Sequence, residues 1–265
     1  MNDDRKRLTL ITGASLGIGR SFAEKLAARG DDLVLVARDA TRLRDLADRL
    51  TAERGVRADV LSADLATSDG VKSVETVLSD PARPVDLLVN NAGVGSYGKF
   101  AELPVNHEID EIELNVVALV RLSHAALPGM IERRRGGIIN VSSMASFQPM
   151  PYNATYGATK AFVTSFSHAL HDEARGTGVN VLVLCPGFTR TDFPAASGID
   201  PGALPSFVWL SADAVAESGI NAFERGHAEC VPGLANRMAG WFAAALPDVL
   251  TARFSGIVAS RVEPR

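Results

Sequence analysis

The chain has 265 residues, of which 46% are apolar, and a formal net charge of -4 at pH 7. This length and apolar content allow one large core, and we expect a single domain over residues 1–265. Because the only basic block is residues 133–135, the charge pattern excludes a nucleic-acid footprint. The charged N-terminus predicts no signal peptide, and no apolar run is long enough to span a bilayer.

The cysteines and histidines indicate neither a disulfide framework nor a metal centre. Cys185 and Cys230 lie far apart, which is typical of free thiols in a reducing compartment, so we expect a cytoplasmic protein. The spacing of the histidines does not match that of metal ligands, and we expect no metal. The histidines considered are His107, His124, His168 and His171.

A glycine-rich turn follows the first predicted strand, Leu8 to Ile11. Residues 12–19 read TGASLGIG, and the helix that follows has an apolar face and ends at Gly30. Such glycines permit a tight turn, close approach of the backbone to a pyrophosphate, and packing of the helix on the strand, while the helix N-terminus favours an anion. Between a strand and a helix, the turn favours a dinucleotide site over a simple turn.

The residue after the second predicted strand, Leu33 to Ala37, bears on the choice of cofactor. It is Arg38, where a carboxylate would bind the ribose 2′-hydroxyl of NAD. A guanidinium instead grips a 2′-phosphate with two hydrogen bonds. We therefore expect NADP(H), with NAD(H) as the second choice; the alternative is a solvated arginine at a strand end.

Polar residues end the next two predicted strands. Asp64 follows the third strand, and residues 90–93, Asn-Asn-Ala-Gly, follow the fourth, Val85 to Val89. Both places lie at the carboxyl edge, where open parallel sheets bind ligands. Asp64 has two compatible predicted roles, contact with an adenine ring and capping of the next helix.

The stretch Tyr156-Gly157-Ala158-Thr159-Lys160 opens a predicted helix on which Tyr156 and Lys160 share a face. An ammonium about 5 Å from a phenol favours the phenolate by roughly 3 kcal/mol at an effective dielectric of about 20. We therefore expect the Tyr156 pKa to fall from about 10 towards neutrality. Ser143 closes an apolar strand and could return its hydroxyl over the ring, which suits hydride transfer to a carbonyl. The alternative is a core-edge tyrosine with a solvated lysine.

Together these motifs resemble the short-chain dehydrogenase/reductase family over about residues 8–192. The resemblance implies Ser143, Tyr156 and Lys160 as the catalytic trio, and Asn115 as the residue that holds a water in the proton relay behind Lys160. From its position in a predicted helix, Glu108 to Arg135, Asn115 is otherwise a buried asparagine bonding its own helix. The fold we expect is a doubly wound, Rossmann-type α/β fold with a mostly parallel sheet of about seven strands and helices on both faces.

The cofactor-binding residues follow from the turn motifs and from this resemblance. In the family, the turn after the sixth strand, Val179 to Leu184, contacts the nicotinamide carboxamide and the phosphates. Small departures from the family pattern, Thr159 for serine and Ser146 for glycine, do not touch the chemistry directly. The predicted cofactor-binding residues are Gly13, Ser15, Leu16, Gly17, Ile18, Gly19, Arg38, Asp64, Leu65, Asn91, Ala92, Gly93, Tyr156, Lys160, Pro186, Gly187, Thr189 and Thr191.

Two later segments carry large apolar side chains. The segment at about 188–210 is otherwise rich in small residues and predicts a lid over an apolar substrate, with a plain surface loop as the alternative. A helical tail at about 232–265 carries an apolar stripe that predicts packing on its own domain or a sister subunit; a membrane or acyl-chain contact is the weaker reading. The lid residues are Phe193, Leu204, Phe207 and Trp209, and the stripe is Leu234, Met238, Trp241, Phe242 and Leu246.

The predicted function is NADP(H)-dependent interconversion of a ketone or aldehyde and an alcohol on a mainly apolar small molecule. Two alternatives stay open. One is an NAD-linked alcohol dehydrogenase of the same family, and the other is a dinucleotide-binding regulatory protein without turnover. We expect a homo-oligomer, either a dimer or a tetramer, with no nucleic-acid partner.

Overall fold

The structure is a computed structural model of the chain, and it describes residues 6–193, 197, 206–238 and 251. Its strands are β1 (Leu8–Thr12), β2 (Asp32–Ala37), β3 (Ala58–Ser62), β4 (Leu87–Asn90), β5 (Gly136–Val141), β6 (Val179–Leu184), β7 (Thr189–Arg190), β8 (Leu210–Ser211) and β9 (Glu229–Cys230). Seven of them form one parallel sheet in the order β3-β2-β1-β4-β5-β6-β9. This is the strand order of a doubly wound Rossmann fold, and it confirms the predicted fold class.

Helices cover both faces of this sheet. They are α1 (Gly17–Ala28), α2 (Ala40–Arg54), α3 (Ser68–Leu78), α4 (Val105–Ile112), α5 (Leu119–Glu132), α6 (Ala154–Glu173) and α7 (Ala212–Glu224). Adjacent residues of β1 enter opposite cores: Ile11 packs with Phe22 of α1, whereas Leu10 packs with Leu122 of α5. Burial on both faces explains why the strands are continuous apolar runs.

Side chains cap the N-termini of three of the helices, and the residue that caps α3 is not the predicted one. Ser211 caps α7, with its hydroxyl accepting from Ala214 N at 3.1 Å. The α3 helix is capped by Thr67, which accepts from Gly70 N, and the predicted capping role of Asp64 is wrong. Asp64 instead accepts from Ala66 N at 3.1 Å, because it lies too far before the helix to reach its first amides.

A π-helical segment, Glu113–Ala118, joins α4 to α5 into one long helical run. The run begins after Pro104 and ends at Glu132, so both predicted ends, Glu108 and Arg135, lie too late in the chain. A proline suits a helix start, and the positive φ of Arg134, 52°, ends the helical path. Segments of π-helix are frequent at functional sites, and this one contains Asn115.

The same run, Val105–Glu132, has 28 residues and is long and apolar enough to cross a membrane by length and composition. That overturns the expectation that no run reaches this length. The run nevertheless places Leu122, Ala126 and Met130 in the core against the sheet. Since buried helices of domains meet the same test, it is weak evidence for a membrane span.

The predicted lid leaves and rejoins the fold at one place. A parallel ribbon pairs β7 with β8, and Leu210 N donates to Phe188 O at 2.9 Å. β7 follows the carboxyl end of β6 and β8 pairs with it, so the segment between them begins and ends at that edge, where such sheets bind ligands. Several predicted apolar positions lie outside the described residues, namely Leu204, the side chain of Phe207, Trp241, Phe242 and Leu246.

Strand β4 starts two residues later than predicted, at Leu87. Asp86, which we expected inside the strand, is 3% exposed and accepts from Leu8 N through its carboxylate at 2.9 Å. Its backbone N–H donates to Leu8 O at 2.8 Å. Asp86 therefore fixes the chain to β1 just before β4, and the strand begins at the next residue.

Candidate active site

The glycine-rich turn after β1 is shaped so that only glycine fits at two positions. Gly13 has a φ of +66°, and a Cβ there would lie 2.8 Å from Asn91 Nδ2. A Cβ on Gly19 would lie 2.2 Å from Gly13 O, because α1 packs directly on the turn. The turn thus presents backbone and the N-terminus of α1 to the carboxyl edge, which suits a pyrophosphate.

Hydrogen bonds tie this turn to the loop after β4. Thr12 Oγ1 accepts from Asn91 N and Ala92 N, each at 3.0 Å. In return, Asn91 Nδ2 donates to Thr12 O at 3.0 Å and to Gly13 O at 3.3 Å. The predicted residues at these two strand ends therefore form one continuous wall.

The turn after β6 closes the same edge from the other side. Thr189 Oγ1 donates to Gly187 O at 2.9 Å, and Pro186 O accepts from Met144 N at 2.9 Å. Thr191 faces the glycine-rich turn: a Cβ on Gly17 would lie 3.0 Å from Thr191 Cγ2. The structure thus brings these predicted residues to the same edge as the glycine-rich turn.

Arg38 and Asp64 lie further along this edge, at the ends of β2 and β3. Arg38 is exposed, and its backbone carbonyl accepts from Ser62 Oγ at 3.0 Å. Its guanidinium has no hydrogen bond or ion pair to any residue that the structure describes. Asp64 is half-buried and lies just after the neighbouring strand, β3. The guanidinium is thus available to an anionic ligand at the outer end of the edge.

Ser143, Tyr156 and Lys160 converge at the carboxyl ends of β5 and β6. Ser143 follows β5 in extended backbone and caps a short 3-10 turn, Met144–Phe147, by accepting from Ala145 N at 3.1 Å. Lys160 is 5% exposed and donates from Nζ to Val141 O at 3.0 Å. Its Nζ lies 5.6 Å from the centroid of the Tyr156 ring.

The pKa of Tyr156 does not follow the prediction. Burial raises it to about 12, while a hydrogen bond with the Ser143 hydroxyl opposes the rise and the charge of Glu111 adds to it. Burial also lowers the pKa of Lys160 to about 8. The predicted fall is wrong because Lys160 Nζ lies over the ring and points at Val141 O, so the loss of water around the phenol outweighs the ammonium.

Asn115 fastens the loop after β4 to α6. Its Oδ1 accepts from Val94 N at 3.0 Å, and its Nδ2 donates to Val94 O at 2.8 Å and to Thr159 Oγ1 at 3.1 Å. It does not bond its own helix carbonyls through these atoms. Thr159, which replaces the commoner serine of the family, therefore has a structural role. Its hydroxyl accepts from Asn115 and donates to Tyr156 O at 2.8 Å, which links Asn115 to α6.

The other departure, Ser146, also serves the site. Its hydroxyl donates to Ser143 O at 2.7 Å, and its backbone N–H donates to the same carbonyl at 3.0 Å. Both bonds hold the backbone of Ser143 in place. The side chain that replaces the commoner glycine thus helps to fix the orientation of the predicted hydroxyl donor.

Aromatic and glycine residues form an apolar wall over Tyr156. The rings of Phe193 and Tyr156 lie 5.6 Å apart between centroids, and a Cβ on Gly95 would meet both rings within 3.3 Å. Phe188 and Trp209 form a second pair at 5.5 Å. Of the predicted lid aromatics, Phe193 therefore lies at the site and Trp209 lies beside the ribbon.

An acidic pair behind Lys160 was missed by the sequence reading. Glu108 and Glu111 on α4 are 4% and 1% exposed and share the hydroxyl of Ser96. The signal was present, because both are spaced so that they share a helix face with Asn115. Acidic residues on a helix usually face solvent, so this spacing alone does not predict that the pair is buried.

The described residues contain no group of three or more histidine, cysteine, aspartate and glutamate side chains placed to hold a metal ion. His168 contacts Glu229 at 3.1 Å and His171 contacts Val181 O at 2.9 Å. Cys185 and Cys230 are free thiols. The chemistry of the edge therefore rests on the hydroxyl, phenol, ammonium and carboxyl groups already described.

Comparison with known proteins agrees with this geometry. A family model described as short chain dehydrogenase matches residues 7–200. The very-long-chain 3-oxoacyl-CoA reductase of Rattus norvegicus is 35% identical over 186 residues, which cover 69% of this chain and 59% of that protein. A solved short-chain dehydrogenase from Sphingobium yanoikuyae in complex with NADPH is 38% identical, with a TM-score of 0.83 over 90% of this chain and 93% of that one. The bulky-bulky ketone specific alcohol dehydrogenase from Comamonas testosteroni is 31% identical, with a TM-score of 0.78 over 91% and 95%.

The fold is a doubly wound parallel sheet with a glycine-rich turn, and its carboxyl edge carries a serine, a tyrosine and a lysine. This arrangement defines a nicotinamide-dependent oxidoreductase. The chain belongs to the short-chain dehydrogenase/reductase family. It is an NAD(P)-dependent enzyme that acts on CH–OH groups.

Proposed function

We propose that this enzyme interconverts a ketone or aldehyde and an alcohol with NADP(H), on a mainly apolar substrate. The observation that carries the proposal is the convergence of Ser143, Tyr156 and Lys160 under the Phe193 ring, at the edge that the glycine-rich turn opens. When bound, the nicotinamide cofactor supplies or accepts the hydride. The protein supplies the proton, the hydrogen bonds and the apolar surroundings.

Tyr156 acts as the general acid in reduction. With a pKa of about 12 it carries its proton throughout the neutral range, so the acid form is ready when a carbonyl oxygen becomes negative. Ser143 donates a second hydrogen bond to that oxygen and orients it. Lys160 holds positive charge over the ring, which favours the phenolate once the proton has left.

The outer end of the edge supports a preference for NADP(H). Arg38 is exposed there, and its neighbour Ala37 offers no acceptor for a ribose 2′-hydroxyl. A 2′-phosphate can accept the fork of donors of the guanidinium. The similar structure with NADPH supports the same choice. The cradle at Gly13 and Gly19 fits the pyrophosphate of NAD(H) as well, so an NAD-linked alcohol dehydrogenase is the alternative.

The wall over Tyr156 supports an apolar substrate. Phe193 and Gly95 place apolar surface against the Tyr156 ring, so apolar groups flank the reacting carbonyl. The segment at about 188–210 then acts as a lid, with Trp209 packed on Phe188 beside its hinge ribbon. The named activities of the similar proteins, on bulky ketones and 3-oxoacyl-CoA, are compatible with such a wall.

We also propose one domain over residues 1–265, a cytoplasmic location and a homo-oligomer, either a dimer or a tetramer. The free thiols support a reducing compartment. Leu234 and Met238 at the start of the predicted tail are 66% and 54% exposed, which supports packing of the tail on a sister subunit. Light scattering coupled to size-exclusion chromatography tests the oligomer, and a monomeric mass would refute it.

Single-turnover hydride transfer tests the proposed activity. Enzyme in excess over NADPH is mixed with a graded panel of ketones and aldehydes, and loss of the reduced nicotinamide is followed together with formation of the alcohol. We expect transfer to bulky apolar ketones. Tight NADPH binding without transfer to any member of the panel, and without oxidation of the matching alcohols, would instead indicate a regulatory dinucleotide-binding protein.

A further inference from the structure

A buried acidic cluster lies on α4, one helical turn before Asn115. Glu108 is 4% exposed and Glu111 is 1% exposed. The hydroxyl of Ser96 lies between the two carboxyls, with Oγ 2.6 Å from Glu108 Oε1 and 3.0 Å from Glu111 Oε2. Two carboxyls that share one hydroxyl away from solvent do not both ionise near neutral pH, because the charges repel and lack water.

The hydrogen bonds of the cluster support one carboxyl more than the other. The Ser96 hydroxyl donates to both, at 2.6 Å to Glu108 and 3.0 Å to Glu111, so its one hydrogen is shared. Thr155 donates to the other oxygen of Glu108, whereas the other oxygen of Glu111, Oε1, has no hydrogen-bond partner among the described residues. In a buried site, the carboxyl with fewer donors is the costlier one to ionise. The added proton of the pair therefore resides on Glu111.

The electrostatic surroundings agree with this placement. Burial raises the pKa of Glu111 to about 7, and the charge of Glu108 adds to the rise, whereas the Ser96 hydroxyl, the Ser96 backbone N–H and Lys160 oppose it. The groups that face Glu111 are Glu108 from its own helix, Ser96 from the loop after β4, and Lys160 and Tyr156 from α6. An acid with a pKa near neutrality exchanges its proton readily at working pH.

Glu111 also interacts electrostatically with Lys160. Its charge raises the pKa of both Lys160 and Tyr156, so its carboxyl is within electrostatic reach of both groups. Glu111 and Asn115 are four residues apart and share a helix face. The second oxygen of Glu111, Oε1, is buried and has no hydrogen-bond partner among the described residues. A buried oxygen of this kind is where a bridging water binds.

We propose that Glu111 stores the proton that the relay behind Lys160 returns to the active site, with Ser96 and Glu108 holding the carboxyl in place. This inference rests on the proposed carbonyl reduction. Glu111 touches neither substrate nor cofactor, so it is a positioning and proton-storing residue that acts through Lys160.

With this assignment, every proton and electron used in one reduction has a source. A hydride with its two electrons forms the new C–H bond, and the O–H bond of Tyr156 breaks to give the alcohol its proton. The phenolate is reprotonated at the expense of the Lys160 ammonium, and the resulting amine takes the proton of Glu111. The Glu111 carboxylate regains a proton from water through the partly exposed Ser96 hydroxyl. No further oxidant or reductant is needed.

The stored proton is tested first in the protein without cofactor. The carbonyl stretching band of a buried protonated carboxyl is followed by infrared difference spectroscopy between acidic and alkaline pH. We expect a band that disappears with a midpoint near 7, that is missing in Glu111→Gln, and that titrates at lower pH in Glu108→Gln because the like charge is gone. A band unchanged in Glu111→Gln, or no such band, would overturn the proposal whatever the enzyme reduces.

The role in turnover is tested by the pH profile and solvent isotope effect of ketone reduction. In wild type we expect kcat to fall as the pH rises through about 7. Glu111→Gln should lose that inflection, show a larger solvent isotope effect on kcat, and keep KM and NADPH affinity. The decrease in kcat should be smaller than the ~100-fold typical of losing a general acid, because water partly replaces the relay. Glu111→Asp should restore the inflection.

A purely structural role predicts a different result. Glu111→Gln would then change KM or thermal stability while leaving the inflection and the isotope effect as in wild type, and the proposal would be wrong. The matched control is Asp110→Asn, an exposed residue of the same helix, which should leave both readouts unchanged. Absence of ketone turnover in wild type would refute the proposed function, while the infrared titration would still decide where the proton lies.

Discussion

Raising the pH through neutrality should weaken this fold at one identifiable carboxyl, that of Glu111. Its pKa is raised from an ordinary 4.5 to about 7 by burial. Each pKa unit corresponds to about 1.4 kcal/mol, so ionised Glu111 costs the folded state about 3 kcal/mol relative to the protonated form. Because the folded pKa lies above the unfolded one, this stability is fully present below about pH 4.5 and is lost as the pH rises to about 7.

Glu111→Gln isolates this contribution, because the amide keeps the shape of the side chain but is neutral at every pH. We expect wild type to lose about 3 kcal/mol relative to the variant between pH 4.5 and pH 8, a large part of the 5–15 kcal/mol typical of domains. Urea unfolding of both proteins at several pH values measures the difference, with Asp110→Asn as the exposed control. Parallel stability curves for wild type and Glu111→Gln would refute a protonated Glu111.

Three further predictions address the cofactor, the substrate and the turn. Arg38→Leu should lower kcat/KM with NADPH by roughly 10- to 150-fold, with little effect on kcat/KM with NADH. Ala37→Asp should raise the preference for NADH. If Arg38→Leu leaves the ratio of kcat/KM with NADPH to kcat/KM with NADH unchanged, Arg38 is a solvated strand-end residue. Phe193→Ala should raise KM for bulky ketones more than for small ones, and equal effects would leave the lid with a structural role only. Gly19→Ala should abolish cofactor binding measured by calorimetry, because its Cβ would lie 2.2 Å from a backbone oxygen. The control is Gly129→Ala, whose Cβ would meet only the mobile end of an arginine side chain.

The features that the sequence predicts best are those encoded by local spacing. The glycine-rich turn between Gly13 and Gly19 depends on steric fit within a few residues, and the structure places it as expected. The strands are continuous apolar runs because both faces of the sheet are covered. The number of strands and the fold class could therefore be predicted from the sequence. The i,i+4 spacing likewise put Tyr156 and Lys160 on one face of α6.

The features that the sequence does not reveal depend on tertiary packing. The spacing of Tyr156 and Lys160 gives no measure of how much water the phenol loses, and that loss sets the direction of its pKa. Asp64 and Thr67 are both suitable caps by residue type, and only the path of the chain selects Thr67. Glu111 resembles a surface acid until α4 is packed behind Lys160.

The most direct test of the account is hydride transfer in Tyr156→Phe. The ring and its contact with Phe193 remain in this variant, while the transferable proton is lost. We predict that single-turnover transfer from NADPH to a bulky apolar ketone falls by at least the ~100-fold typical of losing a general acid, with NADPH affinity unchanged. Transfer at a rate close to that of wild type would contradict the assignment of Tyr156 as the proton donor.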